Sequence, residues 1–373
     1  MVVTGLRLRD FRSYGDVEVA LGAGLTVVHG RNGAGKTNLL EALYFGLCGR
    51  SCRTTNEREV VRFGTSTTRV EARVDDAEDG PHVLAVGFEP GEAKHFTVDG
   101  ARVERLIDAP GRPLVCVFLP DRLELIKGAP ALRRAHVDQV VAAARPARAG
   151  TRRAYTQALA QRNALLGRIR AGRASRSSLP AWDTELARHG IALRDDRAEV
   201  LAALAPHFAA CASELGLAGT GRLRYRPRST AATAEELAEE LAERADRDLE
   251  RGFTGHGPHR DDVIFERDGR DLRSFGSQGE QRLALLALLL AERRELAESR
   301  GGPPLMLLDD VMSELDAHRR ELLVGRLNAD GGQSVITTTD LAHVPGADRT
   351  DVVRLTVTPG AVACEPAITA AAA

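Results

Sequence analysis

One eight-residue stretch, Gly30-Arg31-Asn32-Gly33-Ala34-Gly35-Lys36-Thr37, narrows the folds open to this chain more than any other feature. It satisfies G-x-x-x-x-G-K-[ST], the P-loop pattern. A short apolar strand, Leu25 to His29, precedes it. Residues 38–47 follow with apolar side chains at helical spacing: Leu39, Leu40, Leu43, Phe45 and Leu47. Strand, Gly-rich turn and helix form the opening unit of a phosphate-binding α/β fold. The glycines let backbone N–H groups turn onto phosphate oxygens, and the helix N-terminus adds its positive end. Lys36 is expected to reach the β- and γ-phosphates of ATP, and Thr37 to place its hydroxyl on Mg²⁺. Only three of the 51 basic residues are lysines (Lys36, Lys94, Lys127), and one falls here, where a bulky planar guanidinium does not fit.

A P-loop needs an acidic partner at the end of a neighbouring strand. Leu305-Met306-Leu307-Leu308-Asp309-Asp310 has that form: four apolar residues to bury a central strand, then two carboxylates at its C-terminal end. Asp309 is expected to hold Mg²⁺ through a water, and Asp310 to orient or deprotonate the attacking water. Upstream, Ser277-Gln278-Gly279-Glu280 fits the S-x-G-[QE] signature of ABC-type ATPases. One helix, one Gly/Pro turn and one strand separate it from Asp309. The same four residues also read as a capping box, with Ser277 at the N-cap and Glu280 three positions on. Ser313-Glu314-Leu315-Asp316 matches the D-loop of that class, and Ser313 and Asp316 can serve as helix caps at the same time. Two departures stand out. The next strand ends Thr337-Thr338-Thr339-Asp340 with no histidine until His343, and Asp310 stands where ABC ATPases carry Glu. The shorter side chain suggests slow, switch-like hydrolysis.

Strand patterns cover much of 1–29 and 69–119, and strands return at 262–267, 271–275, 305–308, 333–338 and 351–357. Between them, residues 130–210 carry helical periodicity. One helix over about 148–170 and a second marked by Trp182, Leu186, Leu193, Val200, Leu204 and Phe208 are joined by the polar connector Ala171 to Ser178, which predicts an antiparallel pair. A third, acidic helix is expected over 233–251. The order α/β, helical, α/β predicts one α/β ATPase head of the ABC type, split by an inserted helical arm. The boundaries are 1–125 for the N-terminal half with the P-loop, 126–254 for the arm, 255–360 for the C-terminal half with signature and acidic strand, and 361–373 for a flexible Ala-rich tail.

Five scattered cysteines (Cys48, Cys52, Cys116, Cys211, Cys364) form no C-x-x-C pair, so they read as free thiols of a cytoplasmic protein. The longest apolar run, Leu283 to Ala291, is about half of a membrane span. His256 and His259 beside Asp261 and Asp262 lack helical i, i+4 placement, since Gly257-Pro258 breaks any helix, and read as structural rather than metal-binding.

A net charge of −1 shows no basic excess. The distribution is uneven, however. Lys127 to Arg176 holds twelve basic residues and one acid, while Thr233 to Arg251 holds eight acids and three bases. Such a basic block suits phosphate contacts with salt-sensitive, sequence-tolerant binding, and Arg133, Arg134, Arg148, Arg152, Arg153 and Arg168 are the candidate DNA contacts. The block has one aromatic residue, Tyr155, so base stacking on single strands is disfavoured. A solvated arginine face paired with the acidic helix is the competing interpretation.

Taken together these motifs resemble the RecF family of bacterial recombination mediators over essentially the whole chain. Asp10-Phe11-Arg12, the P-loop, Gly49-Arg50-Ser51-x-Arg53-Thr54, Pro120-Asp121 through Arg133-Arg134, Gly257-x-His259-Arg260-Asp261-Asp262 and Asp309-Asp310 carry the resemblance. Cys52 replaces an expected aromatic residue, and Ala135-His136-Val137-Asp138 is a looser version of Arg-Phe-Leu-Asp. The resemblance implies an SMC-like head with a short helical arm. It implies ATP-dependent dimerisation on double-stranded and gapped DNA, with two ATP molecules between head-to-tail subunits and Ser277–Glu280 contacting the partner's ATP. RecR, with RecO, is the implied partner in loading RecA during repair and the SOS response. An ABC transporter ATPase subunit, or a scaffold of another SMC-like complex that binds ATP without turning it over, are the alternatives. The 273-residue gap from Lys36 to Asp309 and the helical insertion oppose the transporter reading.

Overall fold

The computed structural model describes residues 1–106, 109 and 111–365. The chain divides into two compact units, Met1–Arg122 with Leu296–Ala373, and Leu123–Glu295. The second unit therefore takes in residues 255–295, which the sequence reading placed with the C-terminal half of the head.

The first unit is built on two six-stranded sheets. Strands β1 (Val2–Phe11), β2 (Tyr14–Ala20), β4 (Thr68–Asp76), β5 (Gly80–Phe88), β6 (His95–Val98) and β7 (Ala101–Val103) form an antiparallel sheet in the order β2-β1-β4-β5-β6-β7. Strands β3 (Leu25–His29), β8 (Val115–Phe118), β12 (Leu305–Leu308), β13 (Ser334–Thr338), β14 (Val353–Thr358) and β15 (Ala361–Cys364) form the other, in the order β15-β14-β3-β13-β12-β8. The pairs from β14 through β8 are all parallel, and β15 closes the edge antiparallel to β14. Helix α1 (Lys36–Cys48) packs with both sheets, and its Leu39, Leu40, Leu43, Phe45 and Leu47 join Leu6, Leu8, Val70, Leu307 and Val335 in one core. Parallel strands buried on both faces read as continuous apolar runs, as Leu305–Leu308 does. The strand at Ala361–Cys364 corrects the expectation of a tail fraying from 361: Leu355 to Thr358 pair residue by residue with it. Residues 366–373 of that tail lie outside the described residues.

In the second unit, α2 (Glu124–Lys127) and α3 (Pro130–Ala144) precede the arm helices α4 (Thr151–Arg170) and α5 (Leu179–Glu214). Helix α5 is 36 residues long with Pro206 inside it, so it spans roughly 54 Å. The acidic helix expected over 233–251 is two helices, α6 (Ala234–Glu243) and α7 (Ala245–Arg251), broken at Arg244. Tyr155, Ala158, Leu186, Leu193, Leu237 and Leu241 bury the faces of α4, α5 and α6 together. A three-stranded sheet, β11-β10-β9, is formed by β9 (Gly221–Arg226), β10 (Asp262–Arg267) and β11 (Arg270–Asp271). The strand expected over 271–275 is instead helix α8 (Leu272–Phe275), because Asp271 turns its carboxylate onto the Arg273 N–H and caps a helical turn. Helix α9 (Gln278–Arg300) follows; α10 (Ala317–Ala329), after β12, belongs to the first unit. Among the described residues no helix is long and apolar enough to cross a membrane.

Candidate nucleotide site

The parallel sheet places the P-loop and the acidic pair at the same, C-terminal edge. Gly30–Thr37 follows β3, Asp309-Asp310 follows β12, and β13 lies between them. Gly30 passes so close to β14 that a Cβ would stand 2.3 Å from the Val357 carbonyl oxygen. Gly33 adopts φ 78, a left-handed conformation that glycine reaches without strain, and a Cβ there would meet nothing within 4 Å. Gly35 (φ 116) caps α1 with no side-chain hydrogen bond, and the first turn holds no acidic residue. Among the described residues, the N–H groups at this helix start are thus left without a carboxylate or hydroxyl partner, as an anion site requires.

Within the loop, the buried Lys36 donates from Nζ to the carbonyls of Gly30 (2.8 Å) and Arg31 (3.1 Å). Burial lowers its pKa, while the carboxylates of Asp310 and Asp309 pull it back up. Thr37 Oγ1 lies 2.9 Å from both Asp309 carboxylate oxygens. Asp309 is itself buried, and that burial raises its pKa against the hydrogen bonds from Thr337 and Thr37. Asp310 sits in the left-handed region at φ 48, ψ 27, at a cost of about 1 kcal/mol or more for a side chain with a Cβ. Its Oδ1 is buried without a hydrogen-bond partner among the described residues. A Mg–nucleotide fits this set. Thr37 gives its proton to Asp309 and keeps lone pairs, the buried Asp309 and the half-buried Asp310 supply carboxylates, and a lysine stands on the loop.

The other candidates lie apart in the chain. Ser277, Gln278 and Gly279 are exposed at the start of α9 in the second unit. The capping box is formed: the Ser277 N–H donates to Glu280 Oε2 (2.8 Å), and the Glu280 N–H to Ser277 Oγ (3.3 Å). Asp316 caps α10 by accepting from the Arg319 N–H at 2.9 Å. Thr337, which sequence reasoning treated only as a strand end, bonds both acidic residues. Glu41 was missed as well. Fully buried on α1, it pairs with Arg12 (2.8 Å) and Arg53 (3.1 Å) and accepts from Ser51 Oγ (2.5 Å), so it joins the Asp-Phe-Arg segment to the segment after α1. A lone Glu inside an apolar helical run, Leu39-Leu40-Glu41-Ala42-Leu43, was the available signal.

The arginine candidates need correction. Arg133 is 3% exposed and forms a bidentate pair with Asp262 (2.8 and 3.1 Å), so it is part of the interior and not a DNA contact. Arg134 is half-buried and donates to the Asp261 carbonyl at 2.6 Å. Arg148 is held by Asp196 (2.8 Å) and Glu199 (2.6 Å), and Arg152 lies 3.4 Å from Asp138. Arg153 and Arg168 are exposed on α4 with no ion-pair partner among the described residues. Arg222, Arg224 and Arg226 add an exposed face on β9, absent from the sequence reading.

His259 completes the structural picture of Gly257–Asp262. Its Nδ1 accepts from the Tyr155 hydroxyl (2.7 Å), and its Nε2–H donates to the Thr254 carbonyl (2.9 Å). Burial pushes its pKa down to about 4, so the ring is neutral at pH 7. The unfolded ring titrates near 6.5. Its contribution to stability is therefore complete above about pH 6.5 and is lost as pH falls toward 4, by up to about 3 kcal/mol. Urea titrations between pH 7.5 and 4.5 should show His259→Gln with a flatter loss than the parent; parallel curves would remove His259 as the cause.

An AAA domain model matches residues 6–104. The DNA replication and repair protein RecF of Myxococcus xanthus (strain DK1622) is 39% identical over 376 residues, covering 97% of this chain and 97% of that one. The chain belongs to the RecF family. Another RecF, from Acidothermus cellulolyticus, is 37% identical over 351 residues, covering 91% of this chain and 93% of its own. Among solved structures, the recombination mediator protein RecF–ATP in the RecFOR pathway superposes with a TM-score of 0.87 at 27% identity, covering 98% of both chains. An Smc head bound to the C-winged helix domain of ScpA gives 0.62 at 16% identity, covering 98% of this chain and 97% of that one, which extends the likeness in fold to SMC heads. The fold is thus the ABC/SMC-type ATPase head.

Proposed function

We propose that the chain is a DNA-repair ATPase that binds Mg–ATP, dimerises on duplex DNA near gaps or junctions, and hydrolyses ATP slowly as a switch. The observation that carries this reading is the Thr37 hydroxyl bonded to both oxygens of Asp309, which brings P-loop and acidic strand together. Gly30 to Gly35 cradle the phosphates through their backbone, Lys36 neutralises them, and Thr37 and Asp309 hold Mg²⁺. The bound cation supplies charge neutralisation on the phosphate oxygens. Asp310, with an unpartnered buried oxygen, accepts the proton of the attacking water. Ser277 to Glu280 and Asp316 act at the interface with a second copy; the exposure of Ser277, Gln278 and Gly279 supports that role. RecR with RecO is the partner class, RecA loading onto gapped DNA is the outcome, and the cytoplasm is the place. Sedimentation of the chain with ATP and a gapped duplex tests the reading. A dimer that forms only with ATP supports it, and a constant monomer overturns it.

DNA contact in this reading uses the unpaired arginines. Arg153 and Arg168 are 15 residues apart on one helix, roughly 22 Å along its axis. Reversing both to Glu should lower duplex affinity and cut the slope of log K against log salt by about 2, from the loss of two phosphate contacts. An unchanged slope in a salt titration would return α4 to an ordinary solvated face.

A further inference from the structure

We propose that Thr337 is the positioning residue that sets both acidic side chains of the nucleotide site. This rests on the ATPase reading above and names a residue through which the central strand acts on it. Strand β13 lies between the P-loop strand and the acidic strand. Leu308 pairs with Ile336, so Thr337 stands one step beyond, level with Asp309, where β12 has just ended. Thr337 is fully buried. A hydroxyl has one proton to give and lone pairs to receive, and here both are used. Thr337 Oγ1 donates to Asp309 Oδ1 at 2.7 Å and accepts from the Asp310 N–H at 2.9 Å.

Each bond has a separate consequence. The first fixes one Asp309 oxygen, which leaves Oδ2 as the less encumbered face for a hydrated cation. The second anchors the backbone of Asp310 in its left-handed conformation, which fixes where the unpartnered carboxylate oxygen emerges. The two neighbouring threonines do neither. Thr338 Oγ1 bonds the Asp340 carbonyl at 2.9 Å and the Asp340 N–H at 3.2 Å, serving the next turn, and Thr339 is exposed. Strand β13 buries three hydroxyls, those of Ser334, Thr337 and Thr338, beside Val335 and Ile336, and of these only the Thr337 hydroxyl bonds the acidic residues among the described contacts.

Thr337→Val keeps the shape and β-branching and removes both bonds; Thr337→Ser keeps the hydroxyl. With the full chain, binding of a fluorescent ATP analogue is titrated against Mg²⁺ and compared with binding in EDTA, alongside steady-state hydrolysis. T337V should raise the Mg²⁺ midpoint about 10-fold, leave Mg-free binding unchanged and lower turnover about 10- to 100-fold, the range for one hydrogen bond to a charged group. T337S should recover both to within about threefold. If T337V fails to fold by circular dichroism, Thr337→Ala is read the same way. A parental Mg²⁺ midpoint and turnover in T337V, or a T337S as impaired as T337V, overturns the proposal while leaving the ATPase reading intact. A parent chain that binds no nucleotide overturns both.

Discussion

Replacing Lys36 with alanine is expected to weaken ATP binding by about 100-fold and to abolish the proposed ATP-induced dimer. The size follows from the loss of a buried, hydrogen-bonded charge at a polyanion, about 3 kcal/mol. The ammonium is held on the loop by the carbonyls of Gly30 and Arg31, which fixes its place there. Its burial disfavours the charge, and Asp309 and Asp310 favour it. The same carboxylates would repel phosphates if the lysine were gone. Lys36→Arg separates charge from shape: the planar fork keeps the charge but does not fit the cradle, so it should resemble alanine more than lysine. Sedimentation velocity with and without ATP decides the matter. A K36A chain that still doubles in mass with ATP would sink the sandwich of two nucleotides between subunits.

The candidate nucleotide site was legible because its logic is local. Gly30 to Thr37 declares itself within eight residues, and Leu305–Asp310 within six, since burial and strand ends leave marks in consecutive positions. What joins them was not legible. Thr337 bonds Asp309 only because β13 inserts between β3 and β12, and strand order is not written in spacing. The arginines show the same limit more sharply. Twelve basic residues between Lys127 and Arg176 read as one charged surface, yet Arg133 meets Asp262 at a separation of 129 residues and Arg162 meets Asp248 at 86. A count of charges along the chain carries no information about partners so distant. Two of the segments that carry the family resemblance meet at one such contact. Arg133 and Arg134 of the central stretch bond Asp262 and the Asp261 carbonyl of the Gly257–Asp262 segment, so these motifs hold the second unit together.

Arg162→Ala should destabilise the second unit by about 3–5 kcal/mol, the cost of breaking a buried ion pair from one side. Arg162 is fully buried. Its Nε donates to Asp183 at 2.6 Å and its Nη1 to Asp248 at 2.7 Å and Thr254 at 2.8 Å. Removing it leaves two carboxylates side by side with almost no solvent, both less than 5% exposed. Burial already raises the Asp183 pKa, and Arg162 is what opposes that rise. Without the guanidinium, Asp183 should be raised further above its unfolded value. A carboxyl with a raised folded pKa loses stability as pH climbs past the unfolded pKa near 3.9, so the deficit should be largest at pH 7–8 and shrink toward pH 5. Asn at 183 and 248 in the same background should recover part of it, since a neutral amide carries no charge that needs a counterion. Trp182, the chain's single tryptophan, packs partly buried against the Leu165, Leu166 and Leu179 cluster, so its fluorescence in urea reports this unit directly. A variant within about 1 kcal/mol of the parent at pH 8 would place Arg162 among surface pairs of little consequence, and would reopen the basic block as a charged surface.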